Sequence, residues 1–172
     1  MTSISQTAGA VALILLFTAG IAHTDGAGDP KAVSSRDGEY LDKDGNPTFK
    51  IANDGTVDWY TYVGYLRYGA NCLQCHGPDG LGSSYAPSLV DSLKSLSYGD
   101  FVSTVVAGKK EVNTAQEQVM PSFGTNRNVM CYIDAIYVYL RARSDGVLGR
   151  QRPETHEPKT NAFTKAEDSC MG

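Results

Sequence analysis

Two cysteines three positions apart with a histidine directly behind them, Cys72-Leu73-Gln74-Cys75-His76, constrain this chain more than any other feature. Thiols so spaced fit on one helical turn, where each can add to a vinyl group of the same porphyrin. The adjacent imidazole then lies under the iron and offers its Nε2. C-x-x-C-H is therefore the attachment pattern for one covalent haem c, which becomes part of the core that surrounds it. Other readings of the motif fare worse. A zinc site would need a second ligand pair, and Cys131 and Cys170 stand far apart without neighbouring ligands. A thioredoxin-like redox pair belongs in a βαβ context, for which the sequence gives no strand-like alternation.

An iron held in this way needs a sixth ligand. The chain offers Met1, Met120, Met130 and Met171, and beyond His76 only His23 and His156. Met1 would leave with an export signal, Met171 is penultimate in a polar tail, and Met130 falls inside an expected helix, where methionine is usually packing. Met120 lies in the loop Gln118-Val119-Met120-Pro121-Ser122-Phe123-Gly124. Pro121 biases Met120 towards an extended conformation that projects the thioether from a stiff loop. His156 is the rival and would make a bis-His haem of lower potential. His/Met ligation raises the potential and suits electron transfer. With both axial positions filled, the iron is closed to oxygen or peroxide. His76 also needs an acceptor for its Nδ1 proton, and the carbonyl of Pro87 is the candidate, with an ordinary turn as the equal alternative.

The first charged residue is Asp25, and residues 8–22 form an apolar run. Such a run is short for a membrane span, which needs roughly 20 residues, so no stable membrane insertion is expected. It fits the hydrophobic region of a secretory signal with cleavage after Ala22, although no Lys or Arg precedes it. The expected location is the periplasm, an oxidising compartment. Across 172 residues there are 15 Lys+Arg and 19 Asp+Glu, with 41% hydrophobic residues, an ordinary globular composition. Without clustered cations, nucleic acid is not a partner.

Four segments follow: a signal over 1–22, an acidic extension over 23–57, a haem domain over 58–143 and a wrapping extension over 144–172. Acidity is concentrated early, for residues 23–63 hold four basic and eight acidic side chains, a net −4. Three helices are readable. One covers 58–70 with Asp58 as N-cap. A second covers 98–107 with Ser97 as N-cap, Gly108 in the left-handed C′ conformation and Lys109 and Lys110 beyond. The third covers 128–143, with Ile133, Ile136, Tyr137 and Leu140 on one stripe. The fold class is all-α with long irregular connections.

Gly64-x3-Tyr68-x3-Cys72, Cys75-His76-Gly77, Pro87, Met120-Pro121 and Tyr137-Val138-Tyr139-Leu140 together resemble the class I cytochromes c. More narrowly, YGANCLQCHGPDGLGSSYAPSLVDSLKSLSYGDF, VMPSFG and RARSDGVLGRQRPETHEPKTNAF are similar to the cytochrome cL group. That resemblance implies a class I fold in which the first and last helices cross at Gly64 and Tyr68. It also implies an electron carrier rather than an enzyme. The donor would be a methanol dehydrogenase containing pyrroloquinoline quinone (PQQ), and the acceptor a smaller class I cytochrome c. Two alternatives stay open: an electron-transfer subunit of another periplasmic dehydrogenase, or a haem enzyme or sensor with a displaceable sixth ligand. In an exported chain the remaining Cys131 and Cys170 pair most simply as a disulfide, worth roughly 4 kcal/mol in the chain-entropy picture. Asp42-x-Asp44-x-Asn46 opens like a calcium loop, but Pro47 takes the place that wants Gly and no bidentate Glu follows. It reads as a turn, and calcium gains no motif.

Overall fold

The computed structural model describes residues 28–112 and 117–172. The expected export signal, its cleavage site and His23 lie outside the described residues. Within them the chain forms, in order, β1 (Ser34–Arg36), β2 (Glu39–Leu41), β3 (Pro47–Thr48), α1 (Trp59–Asn71), α2 (Leu73–His76), α3 (Leu89–Ser92), α4 (Tyr98–Ala107), β4 (Lys109–Val112), β5 (Glu117–Met120), α5 (Arg127–Met130), α6 (Ile133–Ser144) and α7 (Asn161–Met171). The molecule is mostly helical, as expected, but carries two small antiparallel sheets that the absence of apolar alternation gave no reason to expect.

Helix α1 begins where the sequence places its cap. The buried Asp58 carboxylate accepts from Thr61 N at 2.8 Å, from Thr61 Oγ1 at 2.6 Å and from Lys50 N at 2.8 Å. Those donors anchor it against a burial cost that pushes its pKa upward. Helix α6 is the central element. From Ala135 to Arg143 every side chain is buried, the pattern of a helix enclosed on all faces. Helix α1 crosses it at Gly64, where an added Cβ would stand 1.9 Å from the Ala135 carbonyl oxygen and 2.9 Å from Tyr139 Cβ. Glycine is required there by backbone contact, not by dihedral angle.

Two expected elements differ in detail. The long third helix is divided into α5 and α6 by Cys131 and Tyr132. The break falls where Cys131 bonds Cys170 of α7 (Cα–Cα 5.7 Å) and Tyr132 donates to Glu167 at 2.5 Å. Gly108 has a positive φ of 74°, but its ψ of 177° is extended, so α4 leads straight into β4 without a Schellman turn.

The extensions hold each other. Val57 donates from its N–H to Thr155 O at 3.1 Å, and its own carbonyl accepts from Glu157 N at 2.8 Å. Tyr40 OH donates to Glu157, and Thr160 Oγ1 to Asp37 O. Beyond this seam, α7 starts at a Thr160 cap and packs Phe163 with Val63, Tyr132 and Ala135.

Candidate haem site

Three candidate residues meet in one cavity wall, a fourth lies beside them and a fifth supports them. Cys72, His76 and Met120 stand in the wall of one narrow apolar cavity. Leu89 and Leu96, Phe101 and Val105 of α4, and Ile136 and Leu140 of α6 complete much of the wall. Cys75 lies on the same short helix as His76 and is exposed. Burial pushes the Cys72 thiol, where it is free, up to about 11, with a smaller contribution from Cys75.

The local backbone explains why the motif can present its side chains this way. Helix α1 ends at Cys72, and α2 takes one further turn that ends at Gly77, whose φ is 79°. An added Cβ at Gly77 would come within 2.7 Å of Gly82 O, so glycine is needed at this reversal. Tyr68, fully buried, donates from its hydroxyl to Gly77 O at 2.5 Å and ties α1 to the end of the motif. His76 Nδ1 lies 3.0 Å from Pro87 O. A ring that donates from Nδ1 to a carbonyl keeps Nε2 as its lone-pair nitrogen.

Met120 occupies a different local setting from the loop expected. It is the last residue of β5, paired in register with Lys109 of β4. The sequence signal for this hairpin was weak, since its strands are short and charged. His156, the rival ligand, does not line the cavity. Its ring stacks on Tyr62 at 3.8 Å and meets Trp59 edge-on at 5.3 Å, and its Nδ1 is 2.8 Å from Glu157 O. Met130 packs against the core as filler. Asp42 behaves as a turn residue, accepting from Asp44 N and Asn46 N through one oxygen. Among the described residues, no cluster of three or more His, Cys, Asp or Glu side chains could hold a metal ion.

Arg143, which the sequence places at the C-terminal end of the third expected helix, has a role that its position alone does not announce. Buried in the last turn of α6, it donates to Asp79 O at 3.2 Å and to Leu148 O at 2.7 Å, while Arg150 meets the Asp79 carboxylate at 2.5 Å. This network pins the loop after the haem motif to the central helix.

Comparison with known proteins agrees with this geometry. A family model described as "Cytochrome C oxidase, cbb3-type, subunit III" matches residues 63–140. The chain is 54% identical to cytochrome c-553I of Paracoccus denitrificans over 134 residues, which covers 78% of this chain and 59% of that relative's length. It thus spans less than two thirds of that protein. Cytochrome c-555 of Methylococcus capsulatus is 39% identical over 93 residues, covering 54% of this chain and 69% of the relative. The crystal structure of the c-type cytochrome XoxG from Methylobacterium extorquens AM1 superposes with a TM-score of 0.76 at 54% identity, covering 82% of this chain and 86% of that one. The chain belongs to the class I c-type cytochromes related to cytochrome cL, and its cofactor is covalently bound haem c. Its residues fit that group. A thiol, an imidazole fixed at Nδ1 and a thioether share a wall that is otherwise almost wholly apolar.

Proposed function

We propose that the protein is a periplasmic one-electron carrier whose haem is joined to Cys72 and Cys75 and ligated by His76 and Met120. The observation that carries this reading is the apolar cavity walled together by Cys72, His76 and Met120, with His76 braced on the Pro87 carbonyl. Bound haem c supplies a one-electron iron couple. The chain's residues do the rest. Pro87 holds the His76 ring in one tautomer and orientation. The thioether of Met120 favours the reduced state. The apolar walls exclude water and would thereby disfavour the extra positive charge of the oxidised haem, which also raises the potential. Residues 58–143 form the haem domain, the extensions frame it, and the Cys131–Cys170 bond suits an oxidising compartment.

By its resemblance to the cytochrome cL group, the donor is a PQQ-containing methanol dehydrogenase and the acceptor a smaller class I cytochrome c. Docking would use a small transient interface, below about 1,200 Å² in total. Among the described residues no helix is long and apolar enough to cross a membrane. The test is the purified holoprotein's spectrum, then its reduction. A low-spin spectrum with the ferric methionine–iron charge-transfer band, no carbon monoxide binding, and reduction by methanol dehydrogenase with methanol are expected. High-spin iron or rapid carbon monoxide binding would overturn the carrier reading. Failure of reduction alone would remove the donor and leave the carrier.

A further inference from the structure

The carboxyl end of α4 and the segment carrying Met120 form one clamped unit, and we propose that Gly108 and Ser122 are the residues that position Met120 in the cavity. The inference rests on Met120 being the sixth ligand.

The final carbonyls of an α-helix lack partners within the helix. In α4 they are taken up by the Met120 segment. Phe123 N donates to Val105 O at 3.0 Å, Gly124 N to Val106 O at 3.2 Å, and Ser122 Oγ to Val106 O at 2.5 Å. On the other side of the ligand residue, Lys109 pairs with Met120 in the β4–β5 ladder. Gly108 sits between these two sets of bonds. An added Cβ there would lie 2.6 Å from Met120 O, 2.8 Å from Ser122 N and 2.9 Å from the Pro121 carbonyl carbon. All three are backbone atoms, so no rotamer change relieves the contact. Any side chain at Gly108 must displace the ligand's own backbone, and a bond to iron depends steeply on where the sulfur is held.

The effect of a positive φ alone can be controlled for, because the fold offers a second glycine of that kind. Gly108 has a φ of +74° with a ψ of 177°, and Gly55 has a φ of +85° with nothing within 4 Å of an added Cβ. Alanine at either site bears the penalty of a positive φ, but only at Gly108 does it strike Met120, and Ser122→Ala tests the clamp without any change of φ. The experiment compares full-length holoproteins carrying Gly108→Ala, Ser122→Ala, Gly55→Ala and Met120→Ala by ferric absorption and by titration with imidazole. Gly108→Ala is expected to lose most of the methionine–iron charge-transfer band and to bind imidazole about tenfold more tightly, as a ligand weakened by roughly 1.4 kcal/mol would. Ser122→Ala should move both readouts the same way by a smaller factor, and Gly55→Ala should move neither. Wild-type band and imidazole affinity in Gly108→Ala and Ser122→Ala, with the band lost in Met120→Ala, would overturn the positioning role alone. Should Gly108→Ala yield no holoprotein, an unchanged Ser122→Ala overturns it. A band that survives Met120→Ala overturns the ligand assignment and this inference with it.

Discussion

Glu39 is the buried acid of the extension, only 5% exposed, with one carboxylate oxygen lacking a hydrogen-bond partner and Arg36 on the other at 3.2 Å. Burial, and secondarily the charge of Asp134, push its pKa from 4.5 up to about 7. A carboxyl raised in the native state binds its proton more tightly folded than unfolded. Its contribution is therefore complete below its ordinary pKa and is lost as pH climbs through the raised one. Thermal or urea unfolding should show stability falling between pH 4.5 and 7 by on the order of 2 kcal/mol. Glu39→Gln is expected to flatten that slope and to exceed the wild type in stability above neutral pH. A slope unchanged by the substitution would assign it to other groups. The haem residues were the most legible in the chain, because C-x-x-C-H states its chemistry in five positions. Glu39 and Asp134 gave no such sign, since their proximity arises only when β3 packs on α6 and carries its neighbour β2 with it.

Helix α1 was readable because Asp58 caps it and its apolar residues recur at helical spacing. Its crossing with α6 sets the frame on which the cavity is built. Gly64→Ala cannot be absorbed by a rotamer, since the obstacle is the Ala135 carbonyl. The two helices must separate, and a loss of at least about 3 kcal/mol is expected in denaturant unfolding of the holoprotein. A loss below 1 kcal/mol would mean that the helices slide apart freely. The small strands were not legible from apolar alternation, and only their turns carry a local mark. Asp37-Gly38, with φ values of 54° and 91°, closes the β1–β2 hairpin, and Asp54-Gly55 closes a second reversal between Ile51 and Val57. Each is an Asp-Gly pair flanked by too little apolar alternation to announce a strand. The split between α5 and α6 was illegible because local periodicity runs on through Cys131 and Tyr132, while the partners that interrupt it sit in α7. That helix itself was missed, since Phe163 is its one buried side chain. The Cys131–Cys170 bond spans 39 residues. Cys170→Ser should lower stability by about 4 kcal/mol in the chain-entropy picture and loosen α7 while leaving the visible spectrum unchanged. Hydrogen exchange of the α7 amides checks this, and wild-type protection there would contradict it.

The acidity of the early segment now divides into two populations. Glu39, Asp42 and Asp58 are buried and serve as internal acceptors, whereas Asp29, Asp37, Asp44 and Asp54 are exposed. Among the described residues of this segment, the exposed four are the ones placed to act at long range on a docking partner. Replacing them together with Asn should change the electron-transfer rate at low ionic strength and flatten its salt dependence, with rates converging near physiological salt. Stopped-flow kinetics across ionic strengths tests this, and an identical rate and salt slope would reduce these charges to a solubilising role.

The seam at Val57 also couples the tail to the haem domain. The Val57 N–H donates to Thr155 O and its carbonyl accepts from Glu157 N, while the next residue, Asp58, caps α1. A displacement of the chain at 155–157 is therefore passed through a single peptide unit to the start of α1, the helix whose other end is capped by Cys72. The outer belt and the haem motif sit at opposite ends of one rigid lever.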